Sequence, residues 1–231
     1  MSSNWSRVQN RLPLPSMAEP QADEVHHPVF ARVFTACSAL LDSTEKEHRQ
    51  ELNSGLIGRV IEVGCGPGVN FAFYPPTVTE VLAIEPEPIL RTEAQKAAAD
   101  APVPVHVVPG VGERLPAEVG EFDAAVTSLV LCTILDPRAA LREIHRVLRP
   151  RGELRFYEHV AAQGSLARRV QHALDATIWP RVSGGCHCGR DTQDAIVAAV
   201  FQVVSSRRLL VKPWGIPSHL APFIIGVATR P

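Results

Sequence analysis

The chain has 231 residues, 45% of them hydrophobic and 20% charged, which fits one compact soluble domain with a sizeable core. A formal net charge of −1 gives no electrostatic case for nucleic acid or an anionic membrane surface, and no apolar stretch reaches the roughly eighteen residues of a spanning helix. Five irregularly spaced cysteines (Cys37, Cys65, Cys132, Cys186, Cys188) do not form a secreted disulfide framework, so a reducing cytoplasm is the expected setting.

Residues 1–24 carry Pro13, Pro15 and Pro20 among polar neighbours and read as a flexible arm, leaving 25–231 as a single domain. Pro28 to Asn53 reads as a helix with Val29, Phe30, Val33, Phe34, Cys37, Leu40 and Leu41 on one face. From Arg59 onward strands (59–63, 80–85, 103–108, 122–128, 152–158) alternate with helices (68–74, 87–99, 137–148, 191–200). That alternation predicts an α/β fold, a doubly wound parallel sheet with helices on both faces. Between 160 and 190 lies an irregular insert: Leu166 to Ile178 is amphipathic, Trp179-Pro180 ends it, and 183–189 is a glycine-rich loop. Following the fifth strand, it sits over the carboxyl ends of the sheet as a substrate lid. Two last strands, 202–212 and 222–229, have no room for a crossover helix between them and must pair antiparallel.

The most telling stretch is 59–68. An apolar run, Val60-Ile61 and Val63, breaks into Gly64-Cys65-Gly66-Pro67-Gly68, a strand entering a tight turn and then a helix. The N–H groups of such a turn can hold an anionic or polar ligand. A dinucleotide fingerprint would place its third glycine at 69, where this chain has Val69. The next apolar run, Val81 to Ile84, ends in Glu85-Pro86, about twenty residues downstream, where a carboxylate reaches ribose hydroxyls. Glu62 interrupts its apolar strand and must find partners, whether loop amides, a ligand ammonium or a purely structural pair.

This G-x-G-x-G with Glu62 before it and Glu85 after it resembles motif I of class I S-adenosylmethionine (SAM) methyltransferases. Asn70-Phe71, Phe73-Tyr74-Pro75-Pro76, Gly112-Glu113, Leu129-Val130-Leu131-Cys132, Arg146 to Pro150 and Glu158-His159-Val160-Ala161 extend the likeness. With Leu174-Asp175, Trp179, Gly185-Cys186 and Arg190, the pattern resembles the alkyl-thiol S-methyltransferase branch over about residues 59–190. The resemblance implies a Rossmann-like seven-stranded mixed sheet closed by an antiparallel strand, with an N-terminal helix and a lid after strand 5. It implies SAM as cofactor, contacted by Glu62, Gly64, Cys65, Gly66, Gly68, Asn70, Glu85, Pro86, Gly112, Glu113, Ser128 and Leu129. Where many relatives carry an Asp, this chain has Val111, so the adenine contact falls to the Gly112 N–H or the Glu113 side chain. Eukaryotic members carry an N-terminal membrane-associating segment; the polar, Pro-rich start here does not match it, so no membrane attachment is expected.

A thiol acceptor with a pKa near 8.5 is already partly thiolate at neutral pH and asks little of its enzyme. His159 after the fifth strand is the candidate base or orienting group, and His145, in a charged helix, reads as solvated. Trp179, Cys186, His187 and Arg190 of the lid, and His27 (with His26) before the first helix, are the candidate substrate contacts. Cys65 and Cys132 read as small buried apolar residues. Cys186-His187-Cys188 has no second pair at zinc spacing, so no metal is expected there. The expected partner is a small-molecule acceptor, and composition leaves room for a homodimer. Three alternatives remain: a nicotinamide-dependent oxidoreductase, a non-catalytic SAM binder, and O- or C-methylation of a phenol, quinone or polyketide. An excess of arginine over lysine with abundant alanine points to a GC-rich bacterial source.

Overall fold

The computed structural model describes residues 25, 27–210 and 222–231, without the side chains of Val33 and residues 36–44. The N-terminal arm, His26 and the end of the sixth strand's predicted span therefore lie outside the described residues.

Seven strands form one sheet: β1 (Gly58–Val63), β2 (Val78–Ile84), β3 (Val105–Val108), β4 (Phe122–Ser128), β5 (Leu148–His159), β6 (Gln202–Leu209) and β7 (Phe223–Thr229). Their order is β3-β2-β1-β4-β5-β7-β6, parallel except that β7 runs antiparallel to both neighbours. The doubly wound mixed sheet and its closing antiparallel strand are as expected. β5 starts four residues earlier than predicted, because Leu148 continues from α3 straight into pairing with Phe122.

The helices are α1 (Pro28–Asn53), α2 (Pro88–Ala99), α3 (Pro137–Val147), α4 (Ser165–Asp175), α5 (Trp179–Val182) and α6 (Thr192–Ala198). α3 starts where its sequence dictates: Asp136 accepts from the N–H groups of Arg138 and Ala139, and Pro137 needs no donor. The predicted helix over 68–74 is instead a run of turns ending in one 3-10 turn, Phe71–Phe73. Pro75-Pro76 holds Tyr74 extended and stops any longer helix. Trp179-Pro180 opens the short α5 rather than ending a helix.

Alternation along the buried strands makes two cores. Ile61, Val63, Phe122, Leu154 and Phe156 pack under α3 and α6, whereas Val60, Val81, Val126 and Tyr157 pack under α1 and α2. Two predicted orientations fail. Val29 is 75% exposed, because α1 turns Ala31 rather than Val29 inward. His145 is half-buried, its ring edge-on to Phe201 at 5.4 Å. Among the described residues no helix is long and apolar enough to cross a membrane.

Candidate active site

The strand order reverses between β1 and β4, so their carboxyl ends diverge and open a crevice. Residues 64–68 fold into it. Gly64 (φ +69°) lies against Val130: a Cβ there would stand 2.1 Å from Val130 Cγ2. At Gly66 (φ +57°) the opposite holds, since a Cβ would meet only Phe34 Cε1, at 3.9 Å. Gly66 therefore presents bare backbone to the crevice, with α1 as its cover.

The amides of this turn are not available to a ligand. Gly64 and Cys65 both donate to Ile84 O (2.8 and 3.0 Å), Gly66 to Glu85 Oε2 (2.8 Å) and Gly68 to Cys65 O (3.0 Å). That corrects the expectation of an anion-holding loop: the turn is closed onto the end of β2 instead. Glu85 also accepts from Glu87 N at 2.9 Å, and burial pushes its carboxyl up to about 7 against the pull of these amides. The carbonyls of Glu85 and Pro86 are pinned by Arg91 Nη1.

Glu62 finds its partners elsewhere. Asn70 Nδ2 and Tyr74 Oη donate to its two oxygens at 2.7 and 2.8 Å, and burial raises its pKa to about 7. Asn70 Oδ1 in turn accepts from Arg49, which pairs with Glu45, so Glu62 ends a buried polar chain that anchors α1 to β1. Glu62 and Asn70 thus bond each other rather than loop amides.

After β3, a Cβ on Gly112 would collide with Ile134 Cδ1 at 2.8 Å, so this glycine serves close packing. The Glu113 carboxylate reaches Asp136 N at the start of α3 (3.1 Å). At the tip of β4, half-buried Ser128 precedes Leu129, a non-glycine residue at φ +58°. That strained turn, held by Leu129 N to Tyr157 O at 2.7 Å, re-aims the chain beneath the crevice. Bare backbone at Gly66, a buried acid at the end of β2 and a tight turn after β4 fit a nucleoside laid across the strand ends.

Beside this half lies a second constellation. The Cys186 Sγ is 3.3 Å from His159 Nδ1 and the Cys132 Sγ is 3.7 Å from the same nitrogen. Both cysteines are almost fully buried (4% and 1% exposed), whereas His159 is half-exposed and tilted against Phe223 at 4.2 Å. The neighbouring Cys132 thiol and the nearby imidazole hold Cys186 below the ordinary thiol pKa, and the proximity of Cys186 together with burial raises Cys132 well above it. Cys132 is therefore not merely a small apolar residue. Its spacing from His159 and Cys186 along the chain gives no motif, though it stands in the Leu129 to Cys132 stretch that carried the resemblance.

The lid is bound to the sheet by backbone-directed bonds. His187 N donates to Cys132 O (2.8 Å), Arg190 Nη1 to Leu131 O and Ile134 O (2.8 and 2.6 Å), and Ala161 N to Arg190 O (2.9 Å). Buried Gln171 joins Ala162 N, Val160 O and Cys188 O, and the Asp175 carboxylate accepts from Cys188 N and Gly189 N. His187 and Arg190 are thus anchors of the loop that carries Cys186, and Trp179 stands among the groups that favour its thiolate. Gln171 and Asp175 were missed as anchors. At Gly184 the lid passes so near Phe30 of α1 that a Cβ would stand 2.5 Å from the ring. His27 is exposed, and its carbonyl accepts from Ala31 N at the start of α1.

Comparison with known proteins places this geometry. A family model described as "Methyltransferase domain" matches residues 61–156. The chain is 35% identical to human thiol S-methyltransferase TMT1B over 184 residues, 77% of this chain and 73% of the relative. It is 34% identical to human thiol S-methyltransferase TMT1A, over 74% of this chain and 70% of the relative. Among solved structures, a geranyl diphosphate methyltransferase in complex with GPP and sinefungin superposes with a TM-score of 0.63 at 13% identity, covering 90% and 87% of the two chains. At that identity the likeness is one of fold alone. The relatives also remove the oxidoreductase alternative that Val69 had already disfavoured. This chain belongs to the class I SAM-dependent methyltransferases, in the family that holds the thiol S-methyltransferases.

Proposed function

We propose that this enzyme transfers the methyl group of SAM to the thiol of a small, fairly apolar molecule in a reducing bacterial cytoplasm, silencing a reactive xenobiotic thiol or a dithiol natural product. The observation that carries this reading is the sulfur–imidazole constellation at the ends of β4 and β5 and in the lid, adjoining the glycine turn through the Gly64–Val130 contact. The relatives named as thiol S-methyltransferases support it.

When bound, SAM supplies an electrophilic methyl group on a sulfonium. The protein has to hold three atoms in line and keep water out. Glu85 and the open face at Gly66 would seat the nucleoside, while Ser128 and Leu129 line the floor at the end of β4. Phe30 and Gly184 close α1 against the lid, which excludes water from above. The acceptor sulfur ionises near neutral pH by itself, so His159 and its neighbours need only favour and orient the thiolate.

An acceptor panel read by mass spectrometry tests the assignment, with initial rates against pH for two thiols of different pKa. Rates should climb with pH in the order of the two thiol pKa values. Phenols methylated faster than thiols of equal size would replace this reading with O-methylation. Sedimentation of the purified protein tests the homodimer.

A further inference from the structure

Cys132, His159 and Cys186 come from the turn after β4, the end of β5 and the lid, yet one donor atom from each falls within 4.8 Å of the other two. Around a tetrahedral zinc ion, with bonds of about 2.3 Å to sulfur and about 2.0–2.1 Å to nitrogen, sulfur and nitrogen ligands stand about 3.5 Å apart. The two sulfur–nitrogen distances here are 3.3 and 3.7 Å.

We propose that Cys132, His159 and Cys186 bind a thiophilic divalent cation of the zinc class, whose fourth position takes the acceptor sulfur. The fourth-ligand part rests on the thiol reading above; the three-ligand site does not. Two thiolates and a neutral imidazole balance a divalent charge, which makes a buried cation tolerable where a lone one is not. Among the described residues three protein ligands leave a fourth position free, the pattern of a catalytic rather than a structural zinc site.

The surroundings hold the donors in place. His159 is braced by Phe223 through its ring and by Thr192 Oγ1 through its carbonyl (3.1 Å). The Cys132 carbonyl accepts from His187 N, and the loop bearing Cys186 is fixed by Arg190. Such outer contacts are what keep metal ligands aimed.

The step balances simply. The acceptor R–SH takes the open position in place of water and releases its proton to solvent. The thiolate pair then forms the C–S bond as the S–CH₃ bond of the sulfonium breaks, that bond's electron pair staying on the departing sulfur. The neutral thioether is a poorer ligand and leaves. Coordination and proton acceptance exclude each other at His159 Nδ1, so the help this residue gives is positioning.

The test uses Co(II) as a spectroscopic stand-in on the full chain, after dialysis against a chelator with reductant present. Tetrahedral d–d bands and a thiolate-to-cobalt charge-transfer band are expected, lost in Cys132→Ser and in Cys186→Ser but kept in Cys188→Ser. Competition with a chromophoric chelator should show zinc bound at least about a hundredfold more weakly in the two variants that lose a ligand, the scale set by what outer-contact changes alone cost. Retained binding of S-adenosylhomocysteine shows that each variant is folded. An unchanged cobalt spectrum in the Cys132 and Cys186 variants, no cobalt spectrum in the wild type, or a Cys132–Cys186 disulfide that forms with metal present overturns the site. The thiol reading is separated by adding an alkyl thiol to the cobalt protein. A shift of the charge-transfer band supports the fourth-ligand role. A normal cobalt spectrum without such a shift, and without S-methylation, overturns that role while leaving the three-ligand site. S-methylation by metal-free enzyme with no cobalt binding overturns the metal and leaves the thiol reading.

Discussion

The two halves of the crevice are built in opposite ways. The proposed donor half, at the ends of β1 and β2, is made of consecutive residues and backbone bonds: Gly64 to Gly68 close onto Ile84 O and Glu85, and the buried carboxylates of Glu62 and Glu85 lie with the Cys65 thiol and the Tyr74 phenol. The proposed acceptor half is made of side chains from three distant segments: two thiols and an imidazole converge there, beside the buried Glu158 carboxylate that accepts from Val130 N. A nucleoside cofactor keeps one chemical structure whatever the acceptor, so fixed backbone suits it. An acceptor differs from enzyme to enzyme, and side chains on a turn, a strand end and a lid can change without disturbing the sheet.

The contact that joins the halves is Gly64 on Val130, and striking it should damage both. Gly64→Ala forces a Cβ to 2.1 Å from Val130 Cγ2 at a positive φ, and we expect a loss of about 3 kcal/mol or more in denaturant unfolding. Gly66→Val separates the halves: SAM affinity by calorimetry should fall about a hundredfold or more, roughly 3 kcal/mol, because the side chain fills the open face and strains the turn at φ +57°. The cobalt spectrum of that variant should stay intact. His159→Ala is the reciprocal change. It should lower the rate by up to about a hundredfold while SAM affinity holds, and a fall in SAM affinity as large as that of Gly66→Val would end the division into halves.

A weaker effect, shared by both halves, lies in pH. Glu62 and Glu85, like Glu158 at the end of β5, ordinarily titrate near 4.5 but are held at about 7 by burial. Between those values the folded state keeps protons that the unfolded chain has released, so stability falls as pH rises through this window. Each carboxylate contributes on the order of 2 kcal/mol to that loss. Unfolding free energy of the cofactor-free protein at pH 5 and pH 8 should show the decline, and Glu85→Gln should remove its share. A stability that climbs from pH 5 to pH 8 would show these carboxylates to be ionised in the fold.

The same division explains what could be read from the sequence. α1, α2, α3 and most strands follow from apolar periodicity and from Pro at helix starts, and the glycine turn with Glu85 follows from local spacing. The helix predicted over 68–74 failed because Pro75-Pro76 acts backwards on the chain before it. The Glu62–Asn70–Arg49–Glu45 chain was out of reach, since a helix twenty residues upstream completes it. Cys132 was misread for a similar reason. Nothing in its neighbours says that His159 and Cys186 approach it, and the proposed metal site departs from the expectation drawn from the Cys186-His187-Cys188 spacing alone.

The way the lid is fastened decides what kind of part it is. Its bonds run from Asp175, Gln171, His187 and Arg190 to main-chain groups of the lid itself and of the β4 and β5 ends, so it cannot lift without breaking several of them at about 1 kcal/mol each. The Cys188 and Gly189 amides, held by Asp175 within the lid, should exchange with solvent more slowly than the amides of an unfastened loop. A lid fastened this way is a frame on which mounted side chains can be exchanged without disturbing the sheet.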